Sequence, residues 1–76
     1  RDGDVVIVKR QATAESGQTV VALVNGEATV KRLYRKGGRV ELRPANPALK
    51  PLFLEEGAGD LEIRGVVIGL IRKFQS

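Results

Sequence analysis

Apolar side chains recur at every second position along most of this 76-residue chain. The pattern is interrupted by two pairs of turn formers, Asn25-Gly26 and Gly37-Gly38. A period of two buries one face of a strand, whereas a helix needs apolar residues three and four apart. Asn-Gly and Gly-Gly pairs accept positive φ at both central positions, which a tight hairpin demands. The sequence therefore predicts antiparallel strands joined by hairpins. Val5-Val6-Ile7-Val8 is a β-branched run that reads as a strand with both faces partly covered, ending near Lys9 and Arg10. Thr19-Val20-Val21-Ala22-Leu23-Val24 leads into the Asn25-Gly26 turn, and the return strand is expected over residues 27–35. A further strand, Arg39-Val40-Glu41-Leu42-Arg43, follows Gly37-Gly38.

Pro44, Pro47 and Pro51 lack the backbone donor that a ladder requires, so the following segment reads as a loop. Its apolar side chains, Leu49, Leu52, Phe53 and Leu54, are expected to plug the core. Residues 55–60 read as a flexible acidic turn. Residues 61–74 form a long β-branched strand in which Gly65 and Gly69 mark a bend, a bulge or the close approach of another backbone. No helix is expected. The fold class is all-β: a small, twisted, partly barrel-like antiparallel sheet of five or six strands, expected to be incomplete at its N-terminal end.

Composition narrows the function classes. Without cysteine or histidine, disulfide and zinc staples are excluded, and no metal or other cofactor is expected. A chain this short buries only about 60% of its unfolded surface, so oligomerisation or a flanking segment is expected to complete the core. No apolar run approaches the roughly 20 residues of a spanning helix, and the start lacks a secretory signal. A soluble cytoplasmic protein without membrane association is expected. The absence of an initiating methionine is what an internal segment of a longer chain would show. The charge of +4, from 13 basic and 9 acidic residues, is spread along the chain except between Arg32 and Arg39. With three aromatic residues in all, no stacking platform for single-stranded nucleic acid is expected.

Lys31 is the residue with chemical potential. On its strand Thr29, Lys31 and Leu33 share one face, and Val30, Arg32 and Tyr34 share the other. In phase with Leu33, Lys31 is drawn toward the interior, where lost hydration disfavours its charged form. A neutral amine can take the proton of a serine hydroxyl, which is the logic of a Ser-Lys dyad. The bland alternative is a lysine on a solvated face, since lysine is rarely fully buried.

Five ordered stretches carry a resemblance over nearly the whole chain. They are Asp2-Gly3-Asp4-Val5-Val6, Gly17-Gln18-Thr19-Val20-Val21-Ala22, Glu27-Ala28-Thr29-Val30-Lys31-Arg32-Leu33, Val40-Glu41-Leu42-Arg43-Pro44-Ala45-Asn46-Pro47 and Ile63-Arg64-Gly65-Val66-Val67-Ile68-Gly69-Leu70-Ile71-Arg72. In this order they resemble the C-terminal, self-cleaving domain of LexA-type repressors, a Ser-Lys peptidase family. The Arg43-Pro44-Ala45-Asn46 stretch favours that family over its UmuD-like and phage-repressor relatives.

The resemblance implies that Lys31 is the general base and that Glu27 and Thr29 flank the cleft receiving the scissile loop. It implies a homodimer through the terminal strand (Gly69, Leu70, Ile71, Arg72 and Lys73), with residues 66–71 serving as core strand, pairing edge or both. Asp2 and Asp4 would be structural. It further implies stimulation by a RecA–single-stranded-DNA filament, cleavage of an Ala-Gly bond, and operator binding through a helix-turn-helix domain in a bacterial cytoplasm. In the family the serine sits in a Gly-x-Ser-Met-like motif that would precede residue 1, and the linker and DNA-binding domain lie further upstream. The 76 residues alone are therefore expected to be catalytically inert.

Of the hydroxyls present, Ser16 reads as a turn former and Ser76 as a terminal residue. Glu55, Glu56 and Asp60 read as a solvated acidic turn rather than a cation site, since no calcium-loop pattern surrounds them. Gly57-Ala58-Gly59 lacks the Lys-Ser or Lys-Thr of a phosphate loop. The competing function classes are a basic β-barrel module binding RNA or protein, and a dimerisation module without proteolysis.

Overall fold

The computed structural model describes residues 4–57 and 59–72. Six strands form one antiparallel sheet: β1 (Asp4–Arg10), β2 (Thr19–Val24), β3 (Glu27–Lys36), β4 (Arg39–Arg43), β5 (Leu52–Glu55) and β6 (Leu61–Arg72). Their spatial order is β1-β6-β2-β3-β4-β5, and the sheet does not close. The expected all-β, antiparallel architecture is borne out. Both tight turns form as their residues dictate. Val24 pairs with Glu27 across Asn25 and Gly26 (φ 50° and 85°), and Lys36 with Arg39 across Gly37 and Gly38 (φ 57° and 79°).

The hairpin register assigns the faces. On the inner face lie Val20 and Ala22 of β2, Leu33 of β3 and Val40 and Leu42 of β4, with Val66 of β6 beside Val20. Together with Ala14 these are the buried core. Leu54 of β5 and Leu61 and Ile63 of β6 pack on the same cluster although β5 and β6 are separated by three strands. The sheet therefore curls around its own apolar stripe, as a partly closed barrel does.

Two irregularities in β6 make the curl possible. Opposite Val21 and Ala22 the register jumps from Gly65 to Ile63, and opposite Ile7 and Val8 from Gly69 to Val67. Arg64 and Ile68 are the extra residues, and each such bulge bends the strand and increases its twist. Gly65 sits where β1 comes closest: a Cβ there would lie 2.5 Å from Val8 Cγ1 and 2.9 Å from the Lys9 carbonyl oxygen. The close approach expected of that glycine is real. At Gly69 an added Cβ would meet only the Ile7 side chain, 3.4 Å away.

Three expectations are corrected. Residues 52–55 are a strand, not a loop: Pro51 stands just before it, and β5 is an edge strand where a missing donor costs no ladder bond. Leu49 and Phe53 are not core plugs, being 58% and 56% exposed, because Leu49 stays in the preceding loop and Phe53 alternates onto the outer face. Leu52 is also exposed, and of this group only Leu54 packs inward. Finally, the β1 run is not covered: Val5, Val6, Ile7 and Val8 are all exposed, since beyond Val66 the described part of β6 pairs with β1 alone.

Arg35 ties the curl together, a role the sequence did not suggest. Its Nη1 donates to the Ala14 carbonyl at 2.6 Å and its Nε to Glu56 Oε2 at 2.7 Å. Its backbone N–H donates to Ser16 Oγ at 2.7 Å. One residue thus joins the loop before β2 to the turn after β5. A charge-assisted bond to a partly buried carbonyl contributes about 1.5–3 kcal/mol, whereas an ion pair as exposed as that with Glu56 contributes about 0–1 kcal/mol.

Two stability predictions follow from these contacts. Gly65→Ala should lower stability by about 1–3 kcal/mol through overpacking, while Gly69→Ala should change it by less than about 0.5 kcal/mol; urea unfolding midpoints separate the two. Arg35→Ala should cost about 2 kcal/mol, clearly more than Glu56→Gln, in thermal unfolding. Equal losses would mean that the ion pair, not the carbonyl bond, is the clasp.

Candidate functional site

Lys31 lies on the inner face. Its cross-strand partner on β2 is Val20, and Thr29 and Glu27 face Ala22 and Val24. Val20, Ala22 and the neighbouring Leu33 are completely buried, while Lys31 itself is half-buried. The lysine therefore stands over an apolar floor while part of it meets solvent, the usual compromise for a long cationic side chain. Among the described residues no carboxylate pairs with its amine.

The strand edge beside Lys31 is open. β4 pairs with β3 from Arg32↔Arg43 to Lys36↔Arg39, and Pro44, which has no N–H, follows at once. Residues 27–31 therefore have β2 on one side and, among the described residues, no strand on the other. A groove of about 290 Å³ runs along this edge, with Glu27, Thr29 and Lys31 on one wall and Leu42 and Leu52 on the other. An unpaired edge presents a row of backbone donors and acceptors on which an extended chain can pair. The arrangement offers an amine, an apolar wall and a strand template within one cleft.

Thr29, Lys31 and Leu33 share one face as their alternation implied, and Glu27 lies on that face too, lining the same groove as Thr29 and Lys31. The structure keeps Ser16 away from any nucleophilic role: its hydroxyl accepts the Arg35 N–H and reaches the Arg35 carbonyl at 3.4 Å, completing the β3 edge like a strand residue. Glu55 and Glu56 do not converge on a cation site. Each meets an arginine, Arg39 at 3.4 Å and Arg35 at 2.7 Å, while the Asp60 carbonyl accepts the Asn25 N–H. Gly69, Leu70, Ile71 and Arg72 lie on the part of β6 that extends past β2. There Leu70 and Ile71 expose about half of their surface. Asp2, Lys73 and Ser76 lie outside the described residues, as does Ala58; Asp4 is the first residue of β1 and pairs with Arg72.

The open edge of β3 was not foreseen. Its signal was present in Pro44, which ends β4 four residues before that strand could cover Glu27.

Comparison with known proteins places these features in a family. The Peptidase S24-like family profile matches residues 1–68. A LexA repressor of Syntrophotalea carbinolica is 55% identical over 75 residues, covering 99% of this chain and 37% of that protein. One of Syntrophobacter fumaroxidans is 52% identical over 75 residues, with 99% and 35% covered. A third, of Geobacter metallireducens, is 43% identical over 74 residues, with 97% and 37% covered. The chain thus spans little more than a third of the length of these relatives. The resemblance to LexA-type repressors is borne out along its whole length, and the chain belongs to the Peptidase S24-like family.

Proposed function

We propose that this chain is part of the self-cleaving, dimerising domain of a LexA-like transcriptional repressor of the bacterial cytoplasm, with Lys31 as general base. The reading is carried by one observation: a lysine with no ionic partner among the described residues stands half-buried at the open edge of a strand, in a chain of a peptidase family.

In this reading the scissile linker lies along residues 27–31 as an added strand, with Glu27 and Thr29 flanking it. A serine supplied from outside these 76 residues is the nucleophile. The neutral Lys31 amine takes the serine proton, and the oxygen attacks the carbonyl carbon of an Ala-Gly bond. The tetrahedral intermediate collapses, the C–N bond breaks, and the Lys31 ammonium returns the proton to the leaving amine. Water, deprotonated by the same amine, then hydrolyses the ester. A RecA–single-stranded-DNA filament would favour the docked state of the linker. Cleavage would part this domain from a helix-turn-helix domain and free the operators of a DNA-damage (SOS) response. The homodimer would form through Gly69, Leu70, Ile71, Arg72 and Lys73, since the β1–β6 ribbon exposes apolar side chains and, among the described residues, no strand but β1 pairs with β6 past Val66.

In the full-length protein, slow self-cleavage should accelerate as pH rises, because only the deprotonated amine accepts a proton. Lys31→Ala should abolish it on a denaturing gel. Lys31→Met should do the same while leaving stability within about 1 kcal/mol, as a swap of similar volume at an amine without an ion-pair partner among the described residues. Cleavage that persists at the same rate in both variants would contradict the base role. An intact wild-type chain after long alkaline incubation would favour a dimerisation module without proteolysis. For the interface, Ile71→Asp should shift the full-length protein from dimer toward monomer in sedimentation velocity; an unchanged dimer would place the contact elsewhere.

A further inference from the structure

The face of the sheet opposite Lys31 carries an arrangement that stability alone does not favour. On β3 the outward residues are Arg32, Tyr34 and Lys36. Register places them beside Arg43, Glu41 and Arg39 of β4. Two like-charged pairs, Arg32 with Arg43 and Lys36 with Arg39, therefore stand directly opposite one another. Such cross-strand pairs are destabilising. Local rules broken without structural gain are characteristic of functional surfaces.

The compensation is partial. Glu41 holds Arg43 through two bonds, at 3.0 and 3.2 Å, and the Arg43 guanidinium lies 4.3 Å from the centre of the Tyr34 ring. Arg39 meets Glu55 only at 3.4 Å, with both side chains more than 60% exposed. Among the described residues Arg32 and Lys36 have no carboxylate partner. Between the two cationic rows runs an aromatic one: Tyr34 and Phe53 on either side of Glu41, with Phe53 56% exposed. A groove of about 600 Å³ lies over this face, lined by Tyr34, Arg39, Arg43 and Phe53 among others.

Spacing selects the occupant. The cationic rows are four residues apart along the strands, or about 13–14 Å at 3.4 Å per residue. In an extended peptide the same separation divides side chains i and i+4, with i+2 on the same side. A peptide lying parallel to the strands would set acidic residues on the two cationic rows and an apolar one between Tyr34 and Phe53. A nucleic-acid backbone fits less well: its continuous phosphates would pass both Glu41 and Glu55, whereas two carboxylates four residues apart need meet only Arg32 and Lys36, the cations without a carboxylate partner among the described residues.

We propose that the outer face of β3, β4 and β5 is a docking surface for an extended acidic segment of a partner protein, with carboxylates two positions either side of an apolar side chain. The surface is independent of whether Lys31 is a catalytic base.

The test is fluorescence anisotropy with the full-length protein at low ionic strength. The probe is a labelled peptide, Thr-Glu-Thr-Leu-Thr-Glu-Thr. Saturable binding is expected, weakened at least tenfold by the double substitution Lys36→Glu and Arg39→Glu and at least threefold by the milder Lys36→Gln and Arg39→Gln. Replacing the peptide leucine by serine should weaken it at least fivefold. Arg10→Glu, on β1, should leave it unchanged, and circular dichroism should show each variant folded. The proposal is overturned if a peptide with its two glutamates adjacent binds equally well, or if no binding appears at millimolar peptide. It is also overturned if a twelve-residue oligothymidine displaces the peptide and binds more tightly, with that binding lost in the Lys36→Glu and Arg39→Glu variant, which would make the face a nucleic-acid surface.

Discussion

The two-residue turn at Asn25 and Gly26 leaves the pairing of β2 with β3 no freedom of register, and the position of every side chain on the hairpin follows from it. Val24 must face Glu27, and stepping back along the strands brings Val20 opposite Lys31. A slip of one residue would turn Lys31 outward and put Val30 and Arg32 over the core. The apolar floor beneath the lysine, Val20 and Leu33, is held by the same register that buries the rest of the core. Placement of the proposed base and folding are one constraint here, not two.

The second constraint is where pairing stops. Pro44 ends β4 just as its partner on β3 reaches Lys31, so the sheet opens beside the amine. Elsewhere the ends of the strands are tied. The Asp60 carbonyl accepts the Asn25 N–H, extending the β2–β6 ladder by one rung, and Arg35 joins the Ala14 carbonyl to Glu56. An open edge on the inner face beside an amine is a defined place for a strand to enter, since its backbone donors and acceptors can pair with an extended chain.

Much of this was legible in the sequence because it rests on local chemistry. The hairpins followed from Asn25-Gly26 and Gly37-Gly38, and the alternation of Thr29, Lys31 and Leu33 fixed their common face. The misreadings share a cause. Leu49, Leu52 and Phe53 read as core because apolar residues after three prolines have no visible period, yet a four-residue edge strand shares them between loop, inner face and outer face. The exposure of Val5 and Val6 could not be read either, since it depends on how far β2 runs alongside β6. Arg35 stayed hidden because its partners lie 21 positions away on both sides. The two faces of β3 carry different chemistry for the same reason: alternation sends Lys31 inward to an uncharged floor, and Arg32 and Lys36 outward to other cations.

The central claim is that the Lys31 amine, set on the inner face at the open edge, is the group whose deprotonation switches on self-cleavage. The most direct measurement is the titration of the Lys31 Cε resonance by carbon-detected NMR in full-length protein labelled at lysine, alongside the pH dependence of the self-cleavage rate. The account predicts that the two curves share a midpoint, with the rate rising as the amine loses its proton. A rate that rises while the Lys31 resonance stays unchanged, or the reverse, would contradict it.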